Sequence, residues 1–221
     1  AIAGSSQLLK LFDYVILVVW GHLLNSDSLQ FGFKSDASTT ECSWMVMEVA
    51  SYFLRKETPC IVTLLDCTQA FDKCLFDQLF SKLIDKGLPL IVVRVLIFIY
   101  EEQEGTVKLA GVSSASFNIV NGTRQGSVLS PTFFCLYLDD LLKELRSSGF
   151  GCYIAGVFMG ATAYADDLLL LSPTRSGMAE ILKICERCTG FHNIVFSVDN
   201  NTAKLKTKVI YICGSMRILY N

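Results

Sequence analysis

An excess of basic charge is missing from this chain. Its 221 residues carry 19 lysines and arginines against 21 aspartates and glutamates, for a formal net charge of −2. A protein that tracks nucleic acid over its whole surface shows a basic footprint, because Lys and Arg neutralise phosphates and release counterions. Either the partner is not nucleic acid, or the basic parts belong to segments outside this sequence. An apolar run long enough to cross a bilayer, which takes about 20 residues, is missing too. The most apolar stretches, residues 14–24, 88–100 and 168–171, are short or interrupted by Arg94 or by aspartates, so no membrane insertion is expected. No basic region precedes the first apolar run and no clear cleavage pattern follows it, so no secretory signal is expected and the protein reads as intracellular, in cytoplasm or nucleus. Charge of either sign is scarce at 18%, whereas 52% of residues are hydrophobic and the mean hydropathy is +0.44. That balance excludes disorder over most of the length and suits one good-sized core or two small lobes.

Cysteine, by contrast, is plentiful, with nine residues at 42, 60, 67, 74, 135, 152, 185, 188 and 213. An odd number lying mostly in apolar runs favours buried reduced thiols over a secreted disulfide framework. Cys185, Cys188 and His192 have metal-like spacing. Zinc needs a fourth ligand, no second pair is near, and the pair falls in a helical pattern.

Chemistry concentrates in Tyr164-Ala165-Asp166-Asp167, between an apolar segment and Leu168-Leu169-Leu170-Leu171. This is the pattern of a hairpin with charges at its turn. Adjacent carboxylates repel, and one takes up a proton unless a cation or hydrogen-bond donors keep both ionised. Hard divalent cations take carboxylate oxygens, and two such ions can activate an attacking hydroxyl and stabilise a leaving phosphate. A third carboxylate, Asp66, ends the apolar run Cys60-Ile61-Val62-Thr63-Leu64-Leu65, which reads as a buried strand. Burying a carboxylate there is costly unless it is paired or binds metal. If that strand neighbours the 164–167 hairpin in one sheet, the three carboxylates converge.

Hydrophobic periodicity supplies the frame. A helix within residues 1–24 is predicted to bury Leu8, Leu11, Phe12, Val15 and Val19. A second helix, N-capped within Ser38-Thr39-Thr40, runs to about Lys56 with Val46, Val49, Ala50, Phe53 and Leu54 inward. Helices with Leu75, Leu79 and Leu83 on one face, and from Pro89 through Tyr100, follow. Residues 106–109 and 117–120 are expected to pair as a hairpin. The loop Asn121-Gly122-Thr123-Arg124-Gln125-Gly126-Ser127 leads into a helix from about Pro131 to Arg146; Gly126 permits close backbone approach, while Arg124 and Gln125 offer groups for a phosphate or base edge. Asp139 and Asp140 are placed on that helix's polar face beside Lys143. After strands in 152–158 and the central hairpin comes a helix from Ser176 to about Thr189, then strands at 193–198 and 209–213 joined by a link containing Lys204, Lys206 and Lys208.

Taken in order, Leu64-Leu65-Asp66-Cys67-Thr68-Gln69-Ala70-Phe71-Asp72, Arg124-Gln125-Gly126-Ser127-Val128-Leu129-Ser130-Pro131 and Tyr164-Ala165-Asp166-Asp167, with Gln30-Phe31-Gly32-Phe33 and Ser38-Thr39-Thr40 upstream, resemble the successive signatures of reverse transcriptases of non-long-terminal-repeat (LINE-type) retrotransposons. The resemblance runs from about residue 4 to residue 214. It implies an α+β right-hand polymerase palm, an antiparallel sheet flanked by helices, with partial fingers in 1–58, palm in 59–221 and an inserted fingers-side segment at 88–121. It implies RNA-directed DNA polymerase activity, with an RNA template, a DNA primer and deoxynucleoside triphosphates as partners and two Mg²⁺ ions, or Mn²⁺, held by Asp66, Asp166 and Asp167. Phe71 would exclude a 2′-hydroxyl by bulk. Arg124, Gln125, Gly126 and Tyr164 would position template and nucleotide, and Lys206 would protonate the leaving pyrophosphate, in competition with Lys204 and Lys208. The chain begins at Ala1 without methionine and reads as a fragment, with thumb and endonuclease regions expected in a longer parent polyprotein. A palm fragment that binds nucleic acid without turnover is the alternative. A polymerase making RNA shares the carboxylates, but Phe71 argues against it.

Overall fold

The structure, a computed structural model, describes residues 6–35, 37–68, 70–196 and 208–212. Its helices are α1 (Gln7–Trp20), α2 (Thr39–Arg55), α3 (Phe76–Asp85), α4 (Leu90–Glu101), α5 (Ser130–Ser147) and α6 (Arg175–His192). Its strands are β1 (Cys60–Thr68), β2 (Glu104–Gly105), β3 (Lys108–Leu109), β4 (Val112–Ser113), β5 (Phe117–Asn118), β6 (Tyr153–Ile154), β7 (Val157–Phe158), β8 (Ala161–Tyr164), β9 (Asp167–Ser172), β10 (Val195–Phe196) and β11 (Lys208–Ile212). The chain divides into two compact units, residues 1–25 with 71–137 and residues 26–70 with 138–221. The units interleave along the sequence.

The second unit is a helix-flanked antiparallel sheet in the order β10-β1-β9-β8, with β11 also on β1. Strand β1 is central, and Cys60, Ile61, Val62, Thr63, Leu65 and Cys67 are all buried. Burial on both faces explains why it reads as a continuous apolar run without alternation. Period-2 geometry still sorts its side chains. Cys60 and Val62 pack with Val49 and Phe53 of α2, joined by Cys152 and Leu171. Ile61 and Thr63 face Met178 and Leu182 of α6, and the Thr63 hydroxyl lies 3.4 Å from the Met178 sulfur. Helix α2 begins at a capping box: Glu41 N–H donates to Ser38 Oγ at 3.2 Å, and Ser38 N–H donates to the Glu41 carboxylate at 2.8 Å. This satisfies donors that a helix start otherwise leaves open.

Asp139 and Asp140 part company. Asp140 is exposed and lies 3.9 Å from Lys143, as the helical pattern predicts. Asp139 is buried, and its carboxylate accepts from Asp27 N–H at 2.7 Å. The expectation that it lies on the polar face is corrected by the segment before α2, which covers that side of α5. Asp27 is itself gripped by Arg146, at 2.5 Å, and accepts from Leu29 N–H at 2.9 Å.

The first unit packs α1, α3, α4 and the start of α5 around Phe133, Phe134 and Tyr137, with Phe76 and Phe80 set edge-on to Tyr100 at centroid distances of 5.2 and 5.4 Å. Two expectations change here. Leu8, Leu11, Val15 and Val19 of α1 are exposed, and the inward positions are Asp13 and Ile16. A helix that is apolar nearly all round leaves its inner face undecided by periodicity. What decides it is Asp13, whose carboxylate accepts from Arg124 Nη2 at 3.0 and 3.2 Å, Ser127 Oγ at 2.7 Å and Val128 N–H at 3.0 Å. Residues 104–118 form nested ribbons: β3 pairs with β4 and β2 with β5, because Ala110 and Gly111 both take positive φ and close a tighter turn than the one expected.

Replacing Asp13 by Ala would strand the Arg124 guanidinium, whose Nε has no hydrogen-bond partner among the described residues. Removing one member of a buried pair costs about 3–5 kcal/mol. The Asp13→Ala protein is therefore expected to unfold at a clearly lower urea midpoint; an unchanged midpoint would show that the pair contributes nothing.

Candidate active site

Strand register decides whether the carboxylates meet. Strands β1 and β9 are antiparallel, with Ile61 opposite Ser172 and Asp66 opposite Asp167. Directly opposed side chains share a face, with Cβ atoms about 4.5–5.5 Å apart. Strands β8 and β9 close with Tyr164 opposite Asp167, so Ala165 and Asp166 form the two-residue turn. Asp66, Asp166 and Asp167 thus occupy one end of the sheet. Asp167 is exposed, whereas Asp66, Asp166 and the preceding Tyr164 are half-buried.

The field of this cluster registers at Cys67, next to Asp66 in the strand. Burial pushes its thiol well above the ordinary range, and the charges of Asp166, Asp66 and Asp167 push it further. The backbone therefore supports the convergence the sequence suggests. Among the described residues, no three acidic, histidine or cysteine side chains already stand close enough to hold an ion. Donor chemistry fits hard divalent ions, since all three groups supply carboxylate oxygens, and like charges set opposite one another on a sheet are destabilising until a cation neutralises them.

The turn is held from outside the hairpin. Ala165 has φ 56°, a left-handed conformation that normally favours Gly, Asn or Asp. Its N–H donates to Gln30 Oε1 at 2.8 Å, and its carbonyl accepts from Gln30 Nε2 at 3.1 Å. Gln30 was legible only as part of an upstream motif. Nothing in the local sequence ties it to a turn so distant along the chain.

Phe71, Arg124, Gln125 and Gly126 belong to the first unit. Phe71 lies in the 3-10 turn Ala70–Lys73 and stacks on Phe134, with centroids 4.5 Å apart and planes at 28°. The 121–126 loop runs along this turn: Thr123 N–H donates to Phe71 C=O and Gly122 N–H to Cys74 C=O, both at 2.7 Å. A Cβ on Gly122 would stand 2.9 Å from Asp72 Cα. Gln125 is exposed and donates to the Asp72 carboxylate at 3.0 Å, and the adjacent Gly126 has φ 77°. Arg124 is turned inward. Its side chain is buried and pairs with Asp13 at 3.0 Å, as a guanidinium enclosed in the first unit needs a counter-ion. Lys206 lies outside the described residues.

Residues 6–209 match the reverse transcriptase (RNA-dependent DNA polymerase) family. The chain belongs to the reverse transcriptase family. Its relatives are polymerases of non-long-terminal-repeat retrotransposons. It is 28% identical over 82% of its length to the Pol polyprotein of the type-2 retrotransposable element R2DM of Drosophila melanogaster, of which it covers 17%. It is 30% identical over 68% of its length to the RNA-directed DNA polymerase of the mobile element jockey of the same organism, of which it covers 16%. The chain therefore spans about a sixth of the length of these relatives. In fold it is similar to apo telomerase from Candida tropicalis, with TM-score 0.61 and 14% identity, covering 96% of this chain and 37% of that one. It is also similar to telomerase from Candida albicans in complex with a telomeric RNA fragment, with TM-score 0.55 and 14% identity, covering 88% and 35%. The helix-flanked antiparallel sheet is the polymerase palm fold of the family. Among the described residues, no helix is long and apolar enough to cross a membrane.

Burial also raises the thiols of Cys74 and Cys185 to about 12. Because only thiolates react readily, Cys67, Cys74 and Cys185 are expected to resist iodoacetamide in the native protein at pH 8, while half-buried Cys42 is alkylated first among the described cysteines. Peptide mapping by mass spectrometry checks the order; early alkylation of Cys67 would mean that the sheet end is open.

Proposed function

We propose that this chain catalyses RNA-templated DNA synthesis, joining a deoxynucleoside triphosphate to a primer 3′-hydroxyl. The observation that carries the reading is the β1–β9 register, which sets Asp66 opposite Asp167 with Asp166 in the adjoining turn. In the reaction the primer 3′-oxygen forms a bond to the α-phosphorus, the bond to the β-phosphate bridging oxygen breaks, and pyrophosphate leaves. The hydroxyl proton passes to solvent. Asp66, Asp166 and Asp167 would hold the divalent ions, Mg²⁺ or Mn²⁺. When bound, such ions lower the hydroxyl pKa and neutralise charge on the phosphate oxygens.

The chain's own groups then divide the remaining work. Phe71, backed by its stack on Phe134, would limit space beneath the incoming sugar. Gln125 and Gly126, exposed on their loop, would meet template or nucleotide, and Arg124 would brace the loop through Asp13. Tyr164, half-buried next to the turn, would help position template and nucleotide. Lys206, or one of its neighbours Lys204 and Lys208, would give the proton that the leaving pyrophosphate needs. The partners on this reading are an RNA template, a DNA primer and deoxynucleotides. Thumb and endonuclease regions of a longer polyprotein would supply the basic surface lacking in a chain of net charge −2. Reduced, buried thiols suit an intracellular setting.

Primer extension on an RNA template, with Mg²⁺ or Mn²⁺, tests the proposal directly. The wild-type chain is expected to extend the primer and Asp166→Asn to fall to the no-protein level. A folded wild type that binds RNA equally well with and without metal, and extends nothing, would instead identify a binding fragment without turnover, the reading favoured by the acidic charge. A second measurement addresses Phe71: Phe71→Ala is expected to raise use of ribonucleotides relative to deoxynucleotides by about 10- to 200-fold in kcat/KM, the range for small steric differences in a pocket. An unchanged ratio would remove Phe71 from sugar selection.

A further inference from the structure

We propose that Gln30 is a positioning residue for the carboxylate turn, its side-chain amide setting the backbone of Ala165 and through it the placement of Asp166 and Asp167 as metal ligands. The inference rests on the reading of Asp66, Asp166 and Asp167 as the metal-holding group.

Gln30 is 1% exposed, and a buried primary amide is costly unless its groups are paired. Its pairing is specific. Oε1 accepts from both Ala165 N–H and Gly32 N–H at 2.8 Å, and Nε2 donates to Ala165 C=O at 3.1 Å. Both main-chain groups of one turn residue are thus held by one side chain. That residue is the alanine with φ 56°, which an L side chain adopts only when its surroundings over-determine it. Ala165 stands immediately before Asp166. If it returned to negative φ, the peptide that carries Asp166 would reorient.

The main chain around Gln30 is independently anchored. Ala163 N–H donates to Leu29 C=O at 2.8 Å, and Phe31 N–H donates to Ala163 C=O at 2.7 Å, so residues 29–31 form a parallel bridge to β8. Gly32 follows where the backbones meet: a Cβ there would lie 2.3 Å from Ala165 N. Further back, Asp27 ties the segment to α5 through Asp139 and Arg146. These bonds hold the segment in place without the Gln30 amide, and beyond its own neighbour Gly32 the amide's contacts go to the turn. Outer partners that orient metal ligands typically change metal affinity by about 10- to 100-fold when removed.

The test is Mn²⁺ binding to the full chain without nucleotide, read by electron paramagnetic resonance as loss of the free-ion signal. Wild type is compared with Gln30→Ala, Gln30→Glu, Gln30→Ala/Ala165→Gly and Asp166→Asn, with folding checked by circular dichroism. Gln30→Glu keeps the acceptor for Ala165 N–H but loses the donor to its carbonyl, and it carries the test if Gln30→Ala does not fold. Gln30→Ala is expected to weaken Mn²⁺ binding about 10- to 100-fold. Adding Ala165→Gly is expected to recover part of that loss, because glycine adopts positive φ without a Cβ penalty. Primer extension by Gln30→Ala should be deficient at low metal and approach wild type at high metal, which general destabilisation would not produce. Wild-type Mn²⁺ affinity in the Gln30 variants, with Asp166→Asn defective, would overturn the positioning role and leave the site reading intact. Equal binding by wild type and Asp166→Asn would overturn the site reading, and the positioning role with it.

Discussion

The β1–β9 pairing is the interaction on which the candidate site depends. Six consecutive residue pairs, from Ile61 opposite Ser172 to Asp66 opposite Asp167, bind a strand from the first third of the chain to one from the last. Side chains repeat every two residues along a strand, so a slip of one position would turn Asp66 to the opposite face and pull apart the carboxylates. The register is protected by what lies behind it. Cys60, Val62 and Leu171 are locked against α2, and Leu168 and Leu170 are buried. The apolar residues that make the strands are therefore what aims the acidic ones.

Buried polar groups perform a second kind of positioning. Asp13 gathers Arg124, Ser127 and Val128 onto α1; Asp139 receives Asp27 N–H; Gln30 holds both sides of Ala165. Each costs desolvation free energy that a leucine would not. What each provides is direction, since hydrogen bonds fix angle and register where apolar contact fixes only proximity. In each case the group fixed is a loop or turn that lacks a regular backbone ladder of its own, and two of the three carry residues of the proposed catalytic cycle.

Much of the frame was legible. Helices α2, α3 and α4, strand β1 and the β8–β9 hairpin follow from apolar period, caps and the charge-bearing turn. Three carboxylates in family order pointed to the polymerase palm before any geometry was known. What stayed hidden was of one kind. The inward face of α1 was misread because apolar side chains surround it and an aspartate chooses its orientation. The pairing of Arg124 with Asp13 could not be foreseen, because the counter-ion is distant in sequence. Asp139 and Asp140 are adjacent and chemically identical, yet a segment from before α2 buries one and leaves the other in water.

The local pattern of residues by itself determined most of the helices and the core strands, that Asp66 lies in a core strand, which runs on to Thr68, and that Asp166 sits at a turn beside Asp167. These depend on periodicity and on neighbours a few positions away, which the chain carries wherever it folds. Tertiary structure alone decided that Asp66 opposes Asp167, that Arg124 serves Asp13, and that Gln30 supports the alanine between Tyr164 and Asp166. Those outcomes depend on pairing between segments remote in the chain, where the partner is selected by register, burial and charge balance in three dimensions.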